Sequence, residues 1–149
     1  MEKLITPRHR GQTLVEFAII IPVLLLLAVF IFDFGRAVYY YSAIQNAARE
    51  GVRYGAVNPV VTTTEVYEDV PGMKKAAVNY AIGLGLTLTD VDAKMGTPQL
   101  VGGYANPTVE VKVTYTFTPA TPLLDNFLSG GVITLRGKSV MRTEWLPRS

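Results

Sequence analysis

Three residues near the amino terminus have types and spacing suited to chemistry: a glycine, a glutamine and a glutamate. Gly11 follows a short basic leader, and Glu16 lies at the start of a long apolar run. An ionised carboxylate in lipid costs about 2.5–3.5 kcal/mol at the bilayer centre and less near its edge, so Glu16 requires a compensating partner or a shallow position. Cleavage after Gly11 would create an α-amino group on Gln12, four residues before Glu16. Because four residues make about one helical turn, the new cation and the carboxylate could pair within one subunit or between two.

The sequence offers few other groups for catalysis or metal binding. It contains one histidine, His9, and no cysteine, which disfavours the usual zinc ligand sets and the relays of nucleophile and base. Two carboxylate pairs, at 90 with 92 and at 68 with 69, are most simply solvated surface groups. Calcium ligation from separated segments stays open as a weaker alternative. We therefore expect no enzyme, no metal, no cofactor and no small-molecule substrate.

Residues 14–34 form one apolar run in which only Glu16 and Asp33 are charged. A helix of this length rises about 30 Å, which is the hydrocarbon thickness of a bilayer, so the run predicts a transmembrane helix. Pro22 removes one backbone hydrogen bond and predicts a kink, either simply tolerated or used as a hinge in assembly. A cleaved secretory signal is the main alternative. Its apolar stretch is shorter, however, and ends at a small-residue cleavage site that is absent here.

The charged residues are distributed unevenly about this run. Residues 1–11 contain three basic side chains and one acidic side chain, whereas residues 12–149 contain eleven of each. A basic excess on the amino side places that end in the cytoplasm and the remainder outside the cytoplasmic (inner) membrane, as a single-pass protein. Because the basic balance of the chain belongs to the leader, it does not indicate binding to nucleic acid.

The helix is expected to continue beyond the membrane to residue 55, since no turn signal interrupts residues 35–54. Asp33 and Arg36 can pair on one helical face, and the tyrosines at 39–41 predict an interfacial aromatic belt. An apolar stripe then predicts an amphipathic helix, and a line of small residues permits another backbone to approach closely. The stripe is Ala37, Tyr41, Ile44, Ala48 and Val52, and the line is Ala43, Ala47, Gly51 and Gly55. Whether this line faces the chain's own domain or neighbouring subunits is not decided by the sequence.

Together these elements resemble the TadE-like family, pilin-like subunits of the tight-adherence (Flp) type IV pilus system. The resemblance covers residues 11–55 and is carried by Gly11, Glu16, Pro22, the segment DFGR at 33–36 and the segment AAREG at 47–51. It implies that a prepilin peptidase cleaves between Gly11 and Gln12, so that residues 1–11 are a cytoplasmic leader. It also implies a minor pilin or pseudopilin with other pilin-like subunits and the pilus assembly machinery as partners. Whether such a subunit enters the fibre or only primes its assembly stays open.

Residues 56–149 predict a small extracytoplasmic domain, and the whole chain an α+β fold of pilin-like plan. Alternation of apolar and polar residues predicts an antiparallel sheet of three or four strands, accompanied by one or two short helices. Strands are expected at 88–95, 108–118 and 133–145, helices at 71–83 and 123–128, a loop or edge strand at 60–70 and a loop at 96–107. Because a domain this small without disulfides is marginal alone, the outer half of the long helix, 35–55, should pack on its apolar face.

Two other classes of protein are compatible with parts of this sequence. A signal-anchored binding module unrelated to pili would keep its leader, and Glu16 would then have no special task. A hydrolase or transferase on a membrane stalk is disfavoured by the residue types described above. The amino-terminal residue of the mature protein distinguishes these readings: Gln12 favours the pilin-like subunit, Met1 the anchored receptor, and a start beyond residue 36 a secreted domain.

Overall fold

The computed structural model describes residues 10–61, 66–101, 104–120 and 131–143. One long helix is followed by a small mixed domain. The elements are α1 (Arg10–Val57), β1 (Pro59–Val61), β2 (Val66–Glu68), α2 (Val70–Tyr80), β3 (Val91–Val101), β4 (Tyr104–Phe117) and β5 (Ile133–Arg142). The long amino-terminal helix, the antiparallel sheet and the short helix confirm the predicted α+β class.

Helix α1 runs without interruption from Arg10, through the apolar run, into the mixed domain. Pro22 lies inside it. The helix ends at Val57, where the backbone N–H and the side-chain amide of Asn58 both donate to the carbonyl oxygen of Tyr54. Pro59, which cannot continue a helix without losing a hydrogen bond, follows directly. One continuous helix therefore joins the apolar run to the domain.

The three long strands form an antiparallel sheet in the order β3-β4-β5. Val113 in the middle of β4 lies opposite Val91 on one side and Gly137 on the other. Phe117 at the end of β4 packs near Tyr40 of α1. Val111, earlier in the strand, lies beside Gly51, which is later in α1. Strand β4 therefore runs in the opposite direction to α1, and its end at Phe117 is the end of the sheet closest to the apolar run.

The predicted loop at 96–107 is wrong, because β3 and β4 continue to pair almost to the tip of their hairpin. Their register shifts between Gly96 and Gln99, and pairing resumes up to Val101 opposite Tyr104. Residues typical of turns are thus accommodated by an irregularity within the ladder rather than by a loop. Strand β3, which is predicted to begin at residue 88, begins at Val91.

The later start of β3 has a local cause in the turn that precedes it. The backbone N–H and the hydroxyl of Thr87 both donate to Asp90 Oδ2, at 2.8 and 2.7 Å. These hydrogen bonds lower the pKa of Asp90 below its ordinary value, with the hydroxyl donor as the main cause. One of the two paired carboxylates at 90 and 92 therefore closes a turn.

Helices α1 and α2 lie side by side on one face of the sheet, and the core fills the space between these two layers. The buried face of the sheet consists of Val91, Ala93, Val109, Val111, Val113 and Phe117, as the alternation predicts. From α1, the predicted stripe residues Ile44, Ala48 and Val52 are fully buried. Tyr41 is an error in that stripe, since it is 47% exposed. Tyr40 takes its place, edge-to-face with Tyr115 at 5.2 Å between ring centroids.

Helix α2 and the small hairpin complete the domain. Asp69 caps α2 by accepting a hydrogen bond from the backbone N–H of Gly72 at 2.9 Å, and a proline occupies the first turn as predicted. Asp69 also accepts from the Tyr54 hydroxyl at 3.0 Å, which raises the pKa of Tyr54. The segment 60–70 contains the antiparallel pair β1 and β2. The predicted helix at 123–128 and the end of the predicted last strand lie outside the described residues.

Candidate assembly site along the first helix

The leader junction is helical and open to its surroundings. Because α1 already begins at Arg10, Gln12 and Glu16 stand one turn apart and line one surface groove together with Gly11. Glu16 is exposed, and no other described residue pairs with its carboxylate. A β-carbon placed on Gly11 would meet no heavy atom within 4 Å. The geometry thus leaves the peptide bond after Gly11 and the carboxylate of Glu16 accessible to a partner.

The apolar run of α1 makes almost no contact with the rest of the chain. It is the one described helix that is long and apolar enough to cross a membrane, and none of its most apolar window is buried. Exposed aliphatic and aromatic side chains follow one another from Leu14 to Phe34. An apolar surface of this extent marks a site of contact with lipid or protein. This finding supports anchoring in a membrane.

Asp33 differs from the run around it, because it is only 4% exposed. Its Oδ1 lies 3.3 Å from Arg36 Nη1, one helical turn away, and accepts a hydrogen bond from the backbone N–H of Ala120 at 2.9 Å. Ala120 belongs to the segment that follows β4. The sequence predicts the pairing with Arg36, but no pattern in it points to a partner 87 residues away. Asp33 therefore ties the end of the sheet to the membrane helix.

Arg36 lies between this carboxylate and two aromatic rings. Its guanidinium carbon is 5.3 Å from the centroid of Phe117 and 5.8 Å from that of Tyr40. The polar interaction with the Tyr40 side chain, and after it the charge of Asp33, raises the pKa of Arg36 above its ordinary value. Of the predicted tyrosine belt, Tyr39 and Tyr41 are exposed, whereas Tyr40 is half-buried against the sheet. The cluster at 33–40 is thus a joint between helix and domain.

The line of small residues faces the chain's own domain, which decides the question that the sequence leaves open. Gly51 and Gly55 are buried, and so is Ala47. A β-carbon on Gly51 would lie 2.9 Å from the backbone oxygen of Met73, and one on Gly55 would overlap the Met73 sulfur. Helix α2 therefore occupies this face of α1, and the small side chains permit its close approach.

The described residues contain no group of three or more His, Cys, Asp or Glu side chains that could hold a metal ion. The other ionic contacts of the domain are surface pairs. Lys138 lies 3.0 Å from Glu110 on the polar face of the sheet, and Arg53 lies 3.6 Å from Glu50 on α1. Among the described residues, most of the exposed large hydrophobic side chains lie along α1.

Comparison with known proteins identifies a related family. A family model described as TadE-like protein matches residues 11–53, which are 43 of the 149 residues. No curated protein and no solved structure matches the chain. The matched region begins at Gly11, includes Glu16 and the joint at Asp33, and ends within the outer part of α1. The TadE-like resemblance of the sequence is therefore confirmed, and residues 11–53 are a TadE-like segment.

Proposed function

We propose that this chain is a minor pilin or pseudopilin, a non-enzymatic structural subunit that serves assembly of a tight-adherence (Flp) pilus. The carrying observation is an accessible carboxylate, Glu16, one turn after Gln12 at the start of an exposed apolar helix. The TadE-like match over the same residues supports a pilus-associated role. The continuity of α1 into the folded domain supports it further, because the helix and the domain would move as one body.

In this proposal a prepilin peptidase removes residues 1–11 and leaves Gln12 as the first residue. A free α-amino group has a pKa near 7.7–8.0, so most of it is protonated at neutral pH. The positive end of the helix dipole adds to this charge. The carboxylate of Glu16, in its own subunit or in a neighbouring one, then receives a cation in the region where lipid would otherwise oppose its charge.

The proposed topology follows from the distribution of charge about the apolar run. Residues 14–34 span the cytoplasmic (inner) membrane once, the leader lies in the cytoplasm, and the domain of residues 56–149 lies outside. The partners are the lipid bilayer, the prepilin peptidase, other pilin-like subunits and the pilus assembly machinery. Nucleic acid and small-molecule substrates have no part in this function.

Processing is tested by mass spectrometry of the amino terminus of the chain purified from its own membrane. We expect Gln12 as the first residue in the wild type and Met1 in the variant Gly11→Leu. Because a β-carbon at position 11 would meet no heavy atom within 4 Å, we attribute retention of the leader in this variant to the peptidase and not to misfolding. A wild-type chain that keeps Met1 would contradict the proposal and favour an anchored receptor.

The role of Glu16 is tested separately with two neighbouring substitutions. Glu16→Ala should be cleaved normally but should lose association with pilin-like partners, measured by crosslinking in the membrane and by pilus output. Val15→Ala is the matched control, since it shortens an exposed side chain in the same turn without removing a charge. Normal pilus output from the Glu16→Ala strain would refute the assigned role.

A further inference from the structure

We infer that the external domain rests on the surface of the bilayer that α1 spans, and that the turn after α2 places Ile82 at the outer edge of the lipid headgroup layer. The inference goes beyond the proposed function, because it concerns contact between the domain and lipid. It depends on α1 as a membrane helix but not on processing or on pilus partners.

The domain has no flexible stalk that would hold it away from the membrane. The N–H of Ala120 is bonded to Asp33, within the apolar run itself. Phe117 at the end of β4 packs on Tyr40, 5.7 Å between ring centroids, and lies opposite Ile133 in the sheet. The end of the sheet is thus held at the height of the first two turns of α1 beyond the run.

The turn after α2 lies at a similar height along α1. Tyr80 and Ile82 line one groove together with Tyr39 and Ser42 of α1. With a rise of about 1.5 Å per residue, Tyr39 stands about 7.5 Å above residue 34. The headgroup layer on each side of a bilayer is about 5–7.5 Å thick. Tyr39, the residue of the groove nearest to the run, therefore stands at the outer edge of the headgroup layer.

The side chains in this region are apolar and face outwards. Ile82 is 85% exposed and Tyr39 is 64% exposed. Between the exposed residues of the turn, Ala81 is only 4% exposed, and its N–H is bonded to the carbonyl oxygen of Ala77. The turn is thus fixed to the core at its centre, and its exposed aliphatic side chain is held in position.

Lipid is the occupant that this position favours. The exposed side chains of Ile82 and Tyr39 form an apolar patch. Through Tyr39, this patch continues the exposed apolar surface of α1 away from the centre of the apolar run. Tyrosine rings with polar tips suit the membrane interface, and a neighbouring aliphatic side chain gains by leaving water for the acyl boundary.

Because the sequence contains no cysteine, single labels test this contact in the full chain. Ile82→Cys, Val57→Cys and Leu25→Cys are each labelled with a small fluorophore and placed in nanodiscs at one copy per disc. Separate discs contain lipid with a quencher on the headgroup or deep in the acyl chain. Val57, also exposed, is the matched control, since it stands about 35 Å above residue 34 on the same helix.

We expect the headgroup quencher to quench the Ile82 label several-fold more than the Val57 label, and the acyl quencher to quench the Leu25 label most. Equal quenching at Ile82 and Val57, with Leu25 quenched, would overturn the lipid contact and leave the proposed function intact. An unquenched Leu25 label would overturn both, because α1 would then not span the bilayer. Protection of the Ile82 label only in discs with several copies would assign the patch to a neighbouring subunit and overturn the inference.

Discussion

Strand β5 approaches helix α1 closely at a glycine, and this approach yields a sharp prediction. A β-carbon on Gly137 in β5 would lie 2.7 Å from the backbone oxygen of Ile44, 2.8 Å from its carbonyl carbon and 3.0 Å from the backbone nitrogen of Gln45. All three are backbone atoms of α1, so no change of rotamer relieves the contact. The variant Gly137→Ala must therefore move α1 away from the sheet.

The size of the effect follows from two opposing contributions. Favourable non-bonded contacts between carbon atoms require about 3.5–4.0 Å, so the layers must separate by at least about half an ångström. Overpacking of this kind costs about 1–3 kcal/mol. Replacing glycine by alanine within a strand stabilises the folded state by about 0.5–1 kcal/mol, because the unfolded chain then has less conformational entropy to lose. We therefore expect the free energy of unfolding of Gly137→Ala to fall by about 1–2 kcal/mol.

Thermal unfolding of the full chain in detergent micelles, followed by near-ultraviolet circular dichroism, measures this loss. For a domain of this size each kcal/mol corresponds to about 4–8 °C in Tm, so a decrease of roughly 5–15 °C is expected. Gly35→Ala is the matched control with the opposite sign, because a β-carbon there meets nothing within 4 Å and alanine favours a helix interior by about 1 kcal/mol. A Gly137→Ala chain as stable as the wild type would refute the packing of α1 on β5.

Three further predictions concern the same domain. Ile44→Asp places an unpaired carboxylate at a fully buried position and should reduce the free energy of unfolding by about 3 kcal/mol or more; an unchanged Tm would contradict the core described above. Asp33→Ala leaves the N–H of Ala120 without its acceptor and should speed hydrogen exchange of that amide. Asp33→Asn keeps a carbonyl oxygen and should largely preserve the protection of the amide. Equal exchange rates in the two variants would refute the hydrogen bond between Asp33 and Ala120. Hydrogen bonds from Thr87 lower the pKa of Asp90, so the ionised carboxylate of Asp90 stabilises the fold above the ordinary pKa of 3.8, and this contribution is lost as the pH falls through the lowered pKa. The difference in free energy of unfolding between the wild type and Asp90→Ala should therefore be greatest near neutral pH and should shrink on acidification. A difference independent of pH would exclude this role.

The sequence predicts the apolar half of α1 well, as a long exposed helix, because the signal is local. A run of apolar residues reports its own environment, whatever the rest of the chain does. The outer half is predicted less completely, since the face that is buried depends on what packs against it. Ile44 and Val52 are buried as expected, but Tyr40 and not Tyr41 meets the sheet, because Phe117 lies on that side of the helix.

The features that sequence reasoning misses depend on contacts between distant residues. Gly137 interrupts the alternation of β5 and gives no sign that a helix backbone lies above it. Likewise, the partner of Asp33 on the sheet side is a backbone amide, and any residue type could supply it. The spacing of small residues at 51 and 55 does predict a close backbone approach. Only the structure shows that α2 makes this approach.

Asp33 and Glu16, the two acidic residues of the apolar run, each require compensation of a carboxylate charge in an apolar setting. The two carboxylates differ in what compensates them. Asp33 receives an arginine and a backbone N–H from its own chain, and it is buried among them. Glu16 lies at the other end of the run, and no described residue supplies its carboxylate with a comparable partner. An acid that is compensated within the fold stabilises the fold. An acid that remains uncompensated in an apolar setting favours association with whatever brings a positive charge, and this difference is the reason for which we propose Glu16 as the assembly residue.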